Sequence, residues 1–191
     1  MGAAVAGTLL GLVAGYVGGF IDTVIMRVID AIMAFPFLIF ALAIVAVLGP
    51  DIENAILAIA IAKSPGFARL VRSEVLTLRS RDFVKAAVVL GASDGRIIRR
   101  HLLPNVMGNL IVYASLSGST ALITESSLSF LGLGVRPPTP SWGYMISVGM
   151  DYWQHWWMSV FPGMAIFLTV LSMNFMGDAL RDALDSRLDQ L

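Results

Sequence analysis

An all-α, polytopic membrane protein is the fold class this sequence predicts, on three observations. Of its 191 residues 57% are hydrophobic and only 14% charged, where soluble domains carry roughly 25% charged residues; the mean hydropathy is +0.80. The apolar residues gather into five stretches near the ~20 residues that a helix needs to cross hydrocarbon. Between the third and fourth lies a charged, helix-forming island, Arg79–Asn105. It holds Arg79, Arg81, Lys85, Arg96, Arg99 and Arg100, six of the chain's thirteen basic residues, with His101 beside them.

The first stretch, about Ala3–Ile21, is glycine-rich. Its Gly7, Gly11 and Gly15 have the small-xxx-small spacing that lets another helix approach closely, either an internal neighbour or a partner subunit. The second, about Ile29–Leu48, contains Pro36, and the third, about Asn54–Val71, is interrupted by Lys63, Pro65 and Gly66. Two readings fit Lys63: it marks a helix break whose freed carbonyls line a cavity, or it snorkels towards the cytosol. The fourth, about Val106–Leu128, carries Glu125 near its outer end, among Thr124, Ser126, Ser127 and Ser129. An ionisable group at membrane depth faces a cavity or a partner, so Glu125, Ser126 and Lys63 are the candidate substrate-pathway residues; helix packing is the competing role for Glu125. The fifth, about Trp157–Gly177, contains Pro162 and Asn174, the latter expected to bond across helices.

Loop charges set the orientation. Eleven basic residues fall on one side of a five-span arrangement: Arg27 in the first connection, Arg69 to Arg100 around the island, and Arg181 and Arg187 in the tail. The other side has Arg136 alone, with Asp51, Glu53 and Asp151. The arginine-rich side is therefore cytoplasmic, which starts the chain outside. No basic segment precedes the apolar run, so no cleavable leader is expected, and the orientation leads us to expect an earlier span before this one. The outer connection, Gly132–Trp156, is stiffened by Pro137, Pro138 and Pro140 and carries Trp142, Tyr144, Tyr152, Trp153 and Trp156, which suit a helix at the headgroup level.

Within the island, Phe83, Ala86, Ala87 and Leu90 fall at i, i+3, i+4 and i+7, one face of a short helix over Asp82–Leu90. Gly91 is placed to end it. Ser93 is an N-cap for a second helix with Asp94 in its first turn. Arg99, Arg100 and His101 then occupy a last turn where positive charge suits the helix dipole, and Pro104 stops that helix. Two short helices joined by a glycine turn at the membrane surface can rest on anionic lipid or dock a soluble partner; both remain open from periodicity.

The chain lacks the residues of several other functions. With no cysteine it has neither disulfides nor thiolate metal sites. No G-x-x-x-x-G-K-[ST] stretch supplies a nucleotide site, and the two histidines, His101 and His155, form no HExxH. No catalytic residue and no metal ligand is predicted, and a net charge of zero offers nothing to nucleic acid.

The pattern Ala86-Ala87, three residues, Gly91, nine residues, His101-x-Leu103-Pro104 resembles the cytoplasmic "EAA" loop of binding-protein-dependent ABC importer permeases. GLVAGYVGGFIDTVIMRVID (Gly11–Asp30), AFP (Ala34–Pro36), LSFLGLGVRPPTPSWG (Leu128–Gly143) and FPGMAIFLTVLSMNFMGDALRDALD (Phe161–Asp185) are similar to the dipeptide/oligopeptide/nickel branch, and nearest its second, C-type subunit. The chain departs from the generic loop at Lys85, where the motif name has glutamate, and at His101, which is usual in the peptide branch; Lys63 and Ser186 depart from the branch. It begins near the family's second spanning helix.

The resemblance implies a type I importer membrane domain over residues 1–180, with a coupling loop at 79–105 and a cytoplasmic tail at 181–191. It makes Lys85, Ala86, Ala87, Gly91, Ala92, Ser93, Asp94, Arg99, His101, Leu103 and Pro104 the contact region for a cytosolic ATPase. It implies a second permease subunit, two ATPase subunits that use ATP and magnesium, an extracytoplasmic substrate-binding protein and a lipid bilayer as partners, with no cofactor held by this chain. Peptides are the implied cargo, with nickel or another small solute as the alternative. An ion-coupled secondary carrier and a non-transporting membrane scaffold are the competing classes; no internal repeat is evident.

Overall fold

The computed structural model describes residues 1–135 and 137–188; Arg136 and the last three residues of the tail, on which part of the charge count and of the tail assignment fall, lie outside them. Among the described residues all regular structure is helical, in agreement with the predicted class. The helices are α1 (Gly2–Val17), α2 (Gly19–Met33), α3 (Phe37–Leu48), α4 (Ile52–Arg79), α5 (Asp82–Val89), α6 (Asp94–Ile97), α7 (Leu103–Phe130), α8 (Trp142–Met150) and α9 (Trp157–Leu188). A π-helical turn, Ile98–Leu102, joins α6 to α7 without a break.

Among the described residues three runs are long and apolar enough to cross a membrane, those over Ile52–Arg79, Asp94–Phe130 and Trp157–Leu184; the α2–α3 pair makes a fourth if it counts as one span. Helix α1, the first of the five expected stretches, is apolar but shorter, and Gly18 and Gly19 end it at Val17. Pro36 splits the second stretch: its ring forces the preceding residue away from helical angles, so α2 stops at Met33 and α3 starts at Phe37.

Other prolines behave differently. Helix α4 runs unbroken through Pro65, so the expected break beside Lys63 does not exist. A proline inside a helix costs ~3 kcal/mol, but here Pro65, Phe67, Ala68, Val71 and Val75 are all buried, and that packing holds the turn. The same continuity moves Arg72 and Arg79 from the connection into the helix. Helix α9 likewise passes Pro162.

The chain forms two compact units. The first comprises Met1–Ala34, Lys63–Ala114 and Leu180–Leu191. Its core gathers Leu12 from α1, Phe67, Val71 and Val75 from one face of α4, Val84 from α5, Ile97 from α6, Leu102 from the π turn, and Val106 and Leu110 from α7. The glycine stripe of α1 faces α4: a Cβ at Gly11 would lie 2.5 Å from the Ala68 carbonyl oxygen, and one at Gly15 would lie 2.9 Å from Val75 Cβ. The stripe therefore serves an internal neighbour. On α4 the Phe67 ring meets Tyr113 of α7 edge-on at 4.8 Å.

Two ion pairs join α2 to α4. Arg72 Nε and Nη2 donate to the two carboxylate oxygens of Asp22 at 2.5 and 2.6 Å. This pair is two-thirds or more buried, with 31% and 17% of its side-chain surfaces exposed. Arg69 donates to Asp30 in a pair that is half exposed, where screening leaves ~0–1 kcal/mol.

The second unit comprises Phe35–Ala62 and Ser115–Ala179. Its core is Ala41 and Val45 of α3, Ala55, Ala58 and Ile59 of α4, and Leu128 of α7. Ser119 Oγ donates to Asn174 Oδ1 at 2.6 Å, the cross-helix bond expected of Asn174. Helix α8 starts at its N-cap Ser141, whose Oγ accepts from the Tyr144 N–H at 3.2 Å. It lies close on α7, because a Cβ at Gly143 would overlap the Ser126 carbonyl. Tyr152, Trp153 and Trp156 after it are exposed, as an interfacial segment requires.

Gly11→Leu is expected to separate α1 from α4 and to destabilise the chain by about 1–3 kcal/mol, as overpacking does; thermal stability of the purified protein in detergent measures it. Asp22→Leu is expected to cost about 1–3 kcal/mol by leaving the Arg72 guanidinium without its acceptor. The exchange Asp22→Arg with Arg72→Asp is expected to recover most of that loss in the same assay.

Candidate functional site

The island folds as two helical pieces joined at Gly91, as its sequence suggests. Arg81 is the N-cap of α5, in extended conformation. At the other end Gly91 has φ +77°. The Gly91 N–H donates to the Val88 carbonyl and the Ala92 N–H to the Ala87 carbonyl, both at 3.0 Å. These are the two bonds of a Schellman motif, which satisfies carbonyls the helix end leaves open. A left-handed residue is required at that point, and glycine adopts it without the clash of a Cβ.

Helix α5 presents two faces. Val84 and Ala87 are buried against the first unit's core. Phe83, Val88, Val89 and Leu90 are exposed, the last two at 86% each. The expected face of Phe83, Ala86, Ala87 and Leu90 is thus half right: Phe83, Ala86 and Leu90 point outward, while Ala87 points inward with Val84. Lys85 lies on the outward side and pairs with Asp82 at 3.6 Å.

Beyond the turn, Ser93 is the N-cap of α6 and its carbonyl accepts from the N–H groups of Arg96 and Ile97. Its side chain makes no capping bond. Arg99 and Arg100 are exposed, and the His101 ring lies 6.2 Å from that of Phe83. These residues do not end a helix. They form the π turn, in which the Leu103 N–H reaches back to the Ile98 carbonyl, and Pro104 sits in the first turn of α7. The widened turn just before it makes room for the proline ring and its missing N–H; this is why Pro104 does not stop the helix.

The loop is held from behind by groups that no sequence motif pointed to. The Tyr16 hydroxyl donates to Asp94 Oδ1 at 2.6 Å. Arg79 Nη1 donates to the Gly15 and Tyr16 carbonyls at 3.2 and 2.7 Å, and its guanidinium lies 5.4 Å from the centre of the Tyr16 ring. Asn109 on α7 donates to Glu74 on α4 at 2.7 Å. A C-terminal arginine beside the open carbonyls of α1 was the one available signal.

Of the candidate pathway residues, Glu125 and Ser126 fall in the second unit and Lys63 in the first. Glu125 Oε1 accepts from Ser129 Oγ at 2.6 Å, and Ser129 Oγ accepts from the Val135 N–H at 3.1 Å. This chain braces a second Schellman turn, in which Gly132 (φ +77°) and Leu133 donate to Ser129 and Leu128. Glu125 also borders a cavity of about 330 Å³ with Pro140, Trp142 and Met145. The Ser126 hydroxyl is buried and, among the described residues, has no hydrogen-bond partner. No group of three metal-ligating side chains occurs among the described residues.

A profile of the family described as "Binding-protein-dependent transport system inner membrane component" matches residues 7–190. The chain is 48% identical over 188 residues to the dipeptide transport system permease protein DppC of Alkalihalophilus pseudofirmus, covering 98% of this chain and 62% of that protein. It is 45% identical over 185 residues to the glutathione transport system permease protein GsiD of Pectobacterium atrosepticum, covering 95% and 61%. The chain thus spans less than two thirds of the length of these relatives. A chain of the MetNI methionine ABC transporter, solved in inward-facing conformations, superposes with a TM-score of 0.71 over 95% of this chain and 89% of its own, at 19% identity; that likeness is one of fold.

Gly91→Val is expected to strain the turn by about 2 kcal/mol or more, since a β-branched residue pays more than the ~1–2 kcal/mol of an ordinary left-handed residue. Gly91→Asn, which tolerates that conformation, is expected to stay near the parent. Limited proteolysis between Leu90 and Arg96 reports the difference as faster cleavage in the valine variant alone.

Proposed function

The chain belongs to the family of binding-protein-dependent transport system inner membrane components, and on that premise we propose that it is the permease subunit of an ATP-driven importer of short peptides. As a member of that family it is a membrane transport component of the inner membrane, not a catalyst. Peptide cargo is our inference from the relatives, whose names specify dipeptide, di/tripeptide and glutathione transport.

The observation that carries the coupling role is the outward face of α5. Phe83, Val88, Val89 and Leu90 stand exposed beside Lys85, on a helix whose other face, Val84 and Ala87, is buried. An apolar patch on a rigid helix is what a groove in a soluble partner can grip. Basic residues around it, Arg81, Arg96, Arg99 and Arg100, are all exposed and steer an acidic rim. We assign this patch, with Gly91, Ala92, Ser93, Asp94, His101, Leu103 and Pro104, to a cytosolic ATPase subunit. ATP and magnesium belong to that partner. In the assembly proposed here this chain pairs with a second permease subunit, two ATPase subunits drive the pair, and an external binding protein delivers the peptide.

The mechanism follows from one constraint. The chain contains no phosphate-binding loop in its sequence, so work must enter through a surface. Closure of the ATPase pair displaces α5; the Schellman turn and the packed face keep α5 from folding away, and the displacement passes to the helices packed behind it. Glu125 we assign to bracing the outer end of α7, with Ser126, Glu125 and Lys63 tested as cargo contacts only in second place. Ion-coupled carriers often show internal repeats, and none is evident in this sequence, which ranks that class below an importer subunit.

Leu90→Asp alters a residue that is 86% exposed, so the fold is expected to survive. Co-purification of the ATPase subunits is expected to fall about tenfold or more, the effect of losing a central apolar anchor, with membrane abundance unchanged. Full retention of the ATPase in this variant and in Val89→Asp would reject the docking assignment.

A further inference from the structure

We propose that Tyr16 and Arg79 are positioning residues for coupling, with the Tyr16–Asp94 hydrogen bond acting as a strut of fixed length between the cytoplasmic loop and α1; this rests on the coupling role argued above. Three segments meet on one side chain. Arg79, the last residue of α4, caps the Gly15 and Tyr16 carbonyls of α1, four-residue neighbours of the helix end at Val17 whose carbonyls have no partner within the helix. That grip, with the guanidinium 5.4 Å from the Tyr16 ring centre, sets the direction of the Tyr16 side chain. The phenol then reaches Asp94 at 2.6 Å, 78 residues away in sequence, at the start of α6.

The loop also meets this unit through apolar side chains: Val84, Ile97 and Leu102 lie in its core. Apolar contacts are non-directional and let a helix slide over its neighbour. A hydrogen bond to a carboxylate has a set length and angle, so it converts sliding into pulling. A cavity of about 360 Å³, bordered by Tyr16, Arg79, Val84, Lys85, Val88 and Val89, lies alongside. It gives α5 room to shift there, which makes the polar link the element that limits the shift. Helix α1 in turn lies on α4 backbone to side chain through its glycines, so a pull on Tyr16 is borne by both helices.

The test uses the assembled transporter in proteoliposomes, with alanyl-alanine as the transported probe. Tyr16→Phe removes one oxygen atom and keeps the ring. It is expected to raise the ATP hydrolysed per alanyl-alanine moved by roughly tenfold, the scale of one hydrogen bond to a charged group, while the ATPase subunits remain bound. An unchanged ratio in Tyr16→Phe overturns the proposal. A second measurement needs no ATPase. The chain has no cysteine, so spin labels at Val13→Cys and Val89→Cys report the α1–α5 distance in the full chain. The distribution is expected to be narrow with Tyr16 and broad with Phe; equal widths overturn the proposal. Failure of the parent complex to bind ATPase or to move alanyl-alanine would strike the proposed function, and the label distances would then decide the strut by themselves.

Discussion

The close approach of α1 to α4 is the contact on which the first unit depends. Gly7, Gly11 and Gly15 bring the α1 backbone against Ser64, Phe67, Ala68, Val71 and Val75. In hydrocarbon no water is released by helix association, so contact area and fit must supply the attraction. Three side chains of zero size on one stripe maximise both. Because α1 ends where α4 ends, the pairing also brings Tyr16 beside Arg79. The polar cluster under the loop is thus a product of apolar packing further along the same two helices.

From that base the loop acquires ties unusual for a connection. Its first helix is seated on its inner face through Val84 and Ala87, its turn is closed by two hydrogen bonds around Gly91, and its far side continues unbroken from α6 through the π turn into α7. Loops that lack such ties move freely and transmit little. With these ties in place, Val89 and Leu90 stay exposed on the outward face.

Much of this was legible in the residues. Composition and the length of apolar runs gave the class, because bilayer thickness constrains both directly. The helix–glycine–helix form of the island was legible because a left-handed turn demands glycine. Prolines were the main source of error. Pro36 breaks a helix and Pro65, Pro104 and Pro162 do not; burial at Pro65 and a widened turn upstream of Pro104 decide the outcome, and neither is announced by the proline itself. The inward turn of Ala87 was hidden because Phe83, Ala86, Ala87 and Leu90 fit a helical face equally well with either side buried. Tyr16 and Asp22 escaped notice because their partners lie 78 and 50 residues away, a distance at which pairing leaves no local pattern. Glu125 braces the end of α7 through Ser129 and also borders a cavity; the bracing depends on Ser129 receiving the Val135 N–H, a turn contact that the serine-rich surroundings do not spell out.

The pair formed by Asp22 and Arg72 has a consequence for biogenesis. The carboxylate lies on α2 and its guanidinium on α4, 50 residues later in the chain. During synthesis the acid leaves the ribosome first. Until Arg72 has been made the carboxylate has no guanidinium to meet, and an unpaired charge resists burial. Seating of α2 against α4 therefore belongs to a late stage of folding, after both helices have been synthesised.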